Sequence, residues 1–91
     1  MNKLKLYNQA LKKWGTEAQV MMLFEEIAEL SVKICHAGRK DKIVFTCDLI
    51  DELADVEIML EQIAVVFNIP KENIRSKKNE KLKRLQKRLE E

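Results

Sequence analysis

Val20-Met21-Met22-Leu23-Phe24-Glu25-Glu26-Ile27-Ala28-Glu29-Leu30-Ser31-Val32-Lys33-Ile34-Cys35 places apolar side chains at intervals of three and four, with neither glycine nor proline inside it. Val20, Leu23, Phe24, Ile27, Leu30, Ile34 and Cys35 then share one broad face of a helix, the period expected of an element with one side on a core. Glu25, Glu26, Glu29, Lys33 and His36 fall on the other side, where a surface pair from Glu29 to Lys33 fits the four-residue spacing. Just upstream, Thr16 followed by Gln19 matches a capping box, in which hydroxyl and amide satisfy orphan backbone donors. Gly38 supplies a left-handed stop, so this second helix is expected to run from about Thr16 to Ala37.

Three further helices follow from the same reasoning. Leu4, Tyr7, Leu11 and Trp14 recur at helical spacing between Lys3 and Trp14, and Gly15 ends that first helix. Gly38-Arg39-Lys40-Asp41-Lys42 reads as a polar turn, and Ile43 to Cys47 is either an irregular approach or an early helical turn. From Thr46 or Asp48, both competent caps, a third helix continues through Phe67 with Leu49, Leu53, Val56, Leu60, Ile63 and Phe67 on one stripe. Asn68-Ile69-Pro70 breaks it, and Pro70 suits the first turn of a fourth helix reaching about Leu89. There Ile74, Leu82, Leu85 and Leu89 make a narrow stripe among seven Lys and Arg residues from Lys77 to Arg88, the pattern of a lid or partner-facing element.

Composition bounds the class. The 91 residues are 46% hydrophobic and 35% charged with two Gly and one Pro, which implies a single all-α domain over residues 1–91. The expected architecture is an antiparallel helical hairpin core with flanking N- and C-terminal helices. So short a chain buries a thin core, so a homo-oligomer, dimer or tetramer, is expected to complete an oligomeric helical bundle. No apolar run is long enough to cross a bilayer and no signal-peptide pattern opens the chain, which implies a cytoplasmic protein without a membrane partner. Cys35 and Cys47 lack metal-ligand or disulfide-framework spacing and read as reduced core or boundary residues, and with His36 they make only a poor zinc site. Tyr7 and Trp14 read as core, with stacking on a nucleobase as the alternative; Met21, Met22 and Met59 read as packing or interface residues.

Two acidic segments carry the chemistry: Glu25-Glu26-Ile27-Ala28-Glu29 and Asp51-Glu52-Leu53-Ala54-Asp55. Glu26 and Glu29 are three apart, as are Glu52 and Asp55, so each pair occupies neighbouring positions of one helix face. In a hairpin, residues equidistant from the turn are level, and the midpoint of the two pairs falls between Lys40 and Asp41, inside the expected turn. Glu52 shares its strip with Leu49, Val56, Met59 and Ile63, and Asp55 has Ile58, Met59 and Val66 around it, so neither lies on a purely polar stripe. Carboxylates crowded there lose hydration and repel one another unless a cation compensates. All-oxygen ligands favour Mg²⁺, Mn²⁺ or Ca²⁺ over Zn²⁺, and of these Mg²⁺ characteristically keeps positions for water and phosphate, with Mn²⁺ as its substitute. A competing remedy is ion pairing with lysines of the fourth helix. No P-loop, dinucleotide-binding or zinc-protease motif is present, so a phosphate chain would be held through metal and through Lys or Arg side chains.

Glu25-Glu26-x-x-Glu29 followed by Glu52-x-x-Asp55, with residues 30 to 51 between them, resembles the all-α nucleoside triphosphate pyrophosphohydrolases called MazG-like. The likeness covers the second and third helices. It implies Mg²⁺ bound by Glu26, Glu29, Glu52 and Asp55, with Glu25 as a catalytic residue that orients or deprotonates water. It further implies attack of water on the α-phosphorus of a nucleoside triphosphate, releasing monophosphate and pyrophosphate, in the clearance of unwanted nucleotides. Lys81-Leu82-Lys83-Arg84-Leu85 is similar to a phosphate-contacting segment of some relatives, except that its last residue is Leu where they have Arg; Lys81 and Arg84 are the candidate phosphate ligands. The alternatives are a small basic nucleic-acid-binding protein, which the four carboxylates disfavour by repelling phosphate, and a non-catalytic helical oligomer.

Overall fold

The computed structural model describes residues 1–39 and 47–91, with the side chains of 1–38 and 48–91, and these residues are all-helical. α1 spans Lys3–Arg39, α2 spans Cys47–Val66 and α3 spans Lys71–Leu89. The expected turn around Lys40 and Asp41, the segment from Ile43 and the candidate cap Thr46 lie outside the described residues.

α1 starts under Asn2, whose side-chain oxygen accepts the Lys5 N–H at 3.1 Å and so caps the first turn. Within α1 the backbone leaves helical geometry at Gly15, at φ 86° and ψ 166°, so the stop expected there appears as a break between two helical arms. That region is accessible essentially to glycine alone. An added Cβ would meet nothing within 4 Å, so the barrier to substitution is conformational. Gly15→Ala is expected to destabilise the chain by about 1–3 kcal/mol, read as a lower urea midpoint with an unchanged slope; an unchanged midpoint would show that the break is not required.

Beyond the break, the capping box does not form. Gln19 is 1% exposed, and both polar atoms of its amide are buried without a hydrogen-bond partner. The side chain is drawn to the packed side of the helix, away from the backbone donors of the first turn. Gly38 does not adopt the left-handed conformation either, since Gly15 is the glycine with positive φ, and helix continues through it to Arg39. Glycine permits a left-handed stop without imposing one.

α2 ends one residue earlier than expected and for a definite reason. Asn68 takes φ 54°, its N–H reaches the Val65 carbonyl at 3.1 Å, and the Ile69 N–H reaches the Ala64 carbonyl at 2.8 Å. These two bonds are a Schellman closure with asparagine at its left-handed position. Pro70 then sits at the N-cap of α3, one residue before the position expected, with extended geometry and no side-chain cap.

α1 and α2 pack on each other. Tyr7 donates its hydroxyl to Glu61 Oε2 at 2.7 Å and Lys3 reaches the same carboxylate, while further along α1 Lys33 meets Glu52. The contacts thus run in opposite order along the two helices. Burial, the bond to Glu61 and the charge of that carboxylate push the Tyr7 hydroxyl up to about 12, so the phenol stays a donor at neutral pH.

The seam is narrow. Val56 and Met59 are the buried apolar residues among those described, beside Gln19 and Glu52. On α1 the half-buried positions Leu23, Glu26, Leu30, Lys33 and Ala37 continue from Gln19 at alternating intervals of four and three, the two-helix seam period. This line follows one edge of the apolar face, so Glu26 and Lys33, expected on the solvated side, lie along the contact. Phe24, Ile27 and Ile34 on α1 are exposed, as are Leu53, Leu60 and Phe67 on α2. Trp14, expected in the core, is exposed as well, with the Lys13 ammonium 5.5 Å from its ring centre. Met21 and Met22 are also exposed, and so is Cys35, a free thiol.

α3 buries no side chain. The chain exposes 7898 Å², against roughly 5,500 Å² for a compact monomer of its mass. Its radius of gyration is 16.2 Å, where about 12 Å is expected of a globule of this length. Among the described residues no helix is long and apolar enough to cross a membrane.

Candidate metal centre

Glu26 comes from the middle of α1, and Glu52 and Asp55 from the first half of α2, one turn apart on the same side. Each offers a carboxylate oxygen, and the three oxygens lie within 4.8 Å of one another. Ligands of one hard cation are at most about 4 to 5 Å apart, twice a metal–oxygen bond, so the three carboxylates stand near the spacing that a shared ion requires. Burial grades across the group: Glu52 is buried, Glu26 half-buried and Asp55 exposed. A bound ion would therefore be anchored on the packed side and open toward solvent at Asp55.

Two oxygens of this group, Glu26 Oε2 and Glu52 Oε1, are buried with no hydrogen-bond donor among the described residues. Leaving ionised oxygens without a donor is unfavourable where the seam excludes water, most of all at Glu52. A proton relieves it first: the Glu26 carboxyl is pushed up to about 7 by sharing a hydrogen bond with Glu52, by burial, and by the charges of Glu52, Glu29 and Asp55. The other relief is a cation, and the donor set, all carboxylate, fits a hard divalent one.

The shift of Glu26 has a consequence for folding. Its carboxyl is protonated more readily in the folded chain than in the unfolded one, so the stability it contributes is full below about pH 4.5 and is lost as pH rises through about 7. In metal-free buffer the urea midpoint of the native chain is expected to fall between pH 5 and pH 8 relative to that of Glu26→Gln. Parallel curves for the two would show that the cluster does not hold a proton.

Glu29 is exposed and stands outside the convergent three, near enough for its charge to raise Glu26. Glu25 is exposed, and no hydrogen bond or ion pair among the described residues ties its side chain to the cluster. The basic residues of α3 make no ion pair with these carboxylates. Arg84 binds Glu80 at 3.0 Å, Lys77 binds the same carboxylate at 2.9 Å, and Lys81 is exposed. A shallow concavity along α3, lined by Glu72, Arg75, Ser76, Asn79, Glu80 and Lys83, includes none of the acidic cluster.

Among the described residues the cation that does reach the cluster is Lys33, with Nζ 3.4 Å from Glu52 Oε2. Burial works against the ammonium, but the bond to Glu52 and the charges of Glu52, Asp48 and Glu29 outweigh it and hold Lys33 above its ordinary value. The sequence reading missed this pair because it placed Lys33 with Glu29 on one helix. The available signal was the seam spacing from Gln19 through Leu23, Glu26 and Leu30 to Lys33. Compared with protein-family models, with curated protein sequences and with solved structures, the chain matches none.

Proposed function

We propose that this chain is a magnesium-dependent nucleoside triphosphate pyrophosphohydrolase of the MazG-like kind, releasing monophosphate and pyrophosphate and serving to clear unwanted nucleotides. The observation that carries the reading is the convergence of Glu26, Glu52 and Asp55 around buried oxygens that lack donors. Glu26, Glu29, Glu52 and Asp55 are the proposed ligands, with Mn²⁺ as a substitute ion. When bound, the ion supplies charge neutralisation for the phosphate chain and acidity for its own water. Glu52, the buried member, fixes the position of the charge, and Asp55 and Glu29 face the side from which a triphosphate arrives. Glu25, exposed one residue before Glu26, is the proposed partner of the attacking water.

The reading also includes an antiparallel hairpin core assembled as a homo-oligomer, a dimer or tetramer. Support comes from the opposite order of the contacts between α1 and α2, and from the exposed faces at Phe24, Ile27, Ile34 and at Leu53, Leu60, Phe67. Lys81 and Arg84 remain the proposed phosphate contacts; both are exposed on α3, and Arg84 would exchange its pair with Glu80 for phosphate.

The test is product analysis. Purified protein is incubated with ribo- and deoxynucleoside triphosphates, with and without Mg²⁺, and the phosphorus products are identified by NMR. Monophosphate and pyrophosphate appearing only with the metal are expected. No turnover of any member, together with salt-sensitive binding of DNA or RNA, would replace this reading with a nucleic-acid-binding one.

A further inference from the structure

We propose that Lys33 is a built-in counter-ion of the carboxylate cluster, and that a divalent cation must displace its ammonium to bind. This rests on the metal reading above and adds to it a residue that sets how tightly the metal is held.

Lys33 lies seven residues beyond Glu26, two turns along the same face of α1. Side chains on a helix lean toward its N-terminus, so the four-carbon stem runs back along the seam toward the acidic group. Its Nζ contacts Glu52 Oε2 at 3.4 Å and leaves Oε1 of the same carboxylate buried without a donor. Among the described residues it is the cation that pairs with any of the four candidate ligands. Among the described residues, one positive charge therefore pairs with a cluster of three carboxylates, which is incomplete compensation.

The two partners differ in their freedom to move. The Glu52 side chain is 3% exposed and fixed in the seam, whereas that of Lys33 is 36% exposed. The ammonium can swing into water without crossing an apolar barrier, so the pair opens from the lysine end. A divalent ion on Glu52 would stand within a few ångströms of the ammonium, where like charges repel strongly in a partly dry site. Metal binding and the Lys33 contact thus compete for one carboxylate, and the affinity observed is the intrinsic one reduced by the cost of expelling the lysine.

Isothermal titration of Mn²⁺ into the full chain at pH 8 tests this, comparing the native protein with Lys33→Met, Lys33→Gln and Glu52→Gln. Methionine keeps the stem and glutamine keeps polarity, so a packing defect in one does not remove the other from the comparison. Both are expected to bind Mn²⁺ roughly tenfold more tightly than the native chain. Both should also melt at lower temperature without metal and gain more from it, a reversal that a purely structural ion pair would not produce. Equal or weaker binding by both, with the native chain binding and Glu52→Gln silent, would overturn the counter-ion role and leave the metal site standing. Absence of saturable binding in the native chain and in both lysine variants would overturn the metal site, and this inference with it.

Discussion

Glu52→Gln is expected to reduce nucleoside triphosphate turnover by roughly a thousandfold or more while the far-ultraviolet circular dichroism stays helical. The substitution is nearly isosteric and removes one negative charge from the most buried position of the cluster. Two effects on folding oppose each other: repulsion with Glu26 is relieved, and the contact with Lys33 loses its charge. The melting temperature should therefore move little compared with activity. The functional loss has no such offset, because a neutral amide is a poor ligand for a hard cation and Glu52 is the carboxylate that the seam holds in place. Steady-state kinetics across a range of Mg²⁺ concentrations, with circular dichroism as control, checks it. Turnover within tenfold of the native protein would remove Glu52 from the site.

Phe24→Glu should convert an assembled protein into a 10.7 kDa monomer or an unfolded chain. In the single chain Phe24 is 58% exposed, so a charge there keeps its contact with water. In an assembly that covers α1, the same charge would be forced into an apolar contact, at a cost of several kcal/mol. Fully covering one phenylalanine is worth about 1.5–3 kcal/mol, and Ile27, Ile34, Leu53, Leu60 and Phe67 stand exposed as it does. Light scattering coupled to size exclusion separates the outcomes. A native protein that elutes as a monomer, with Phe24→Glu indistinguishable from it, would show that these faces stay open to water.

The helices were legible because local chemistry decides them. Gly15, Pro70 and the apolar period of α1 mark breaks and faces that any packing must respect. Pair packing was less legible. The apolar face of α1 is broad, and two helices cover only a strip of it, so sequence could not say which edge becomes the seam. The structure chooses the edge carrying Gln19, Glu26 and Lys33, which puts polar groups against α2 and leaves Phe24 outside. On α2 the strip through Glu52, Val56 and Met59 was readable, because a glutamate among apolar neighbours is conspicuous. The convergence of Glu26, Glu52 and Asp55 agrees with the spacing of the two acidic segments, whereas Glu29 stands aside. Asn68 ends α2 through a left-handed turn that a neighbouring proline concealed. The basic stripe of α3 says only that the helix is solvated in the single chain, where two of its cations, Lys77 and Arg84, pair with Glu80.

Carboxylates of α1 and α2 converge in the seam, and the proposed occupant of that place is a hard cation. Crystals of the protein soaked in Mn²⁺ and measured near the manganese absorption edge test it most directly. An anomalous peak is expected about 2–2.6 Å from oxygens of Glu26, Glu52 and Asp55, with the Lys33 ammonium moved off Glu52. Well-ordered carboxylates with no peak between them at saturating Mn²⁺, and Lys33 still on Glu52, would contradict it.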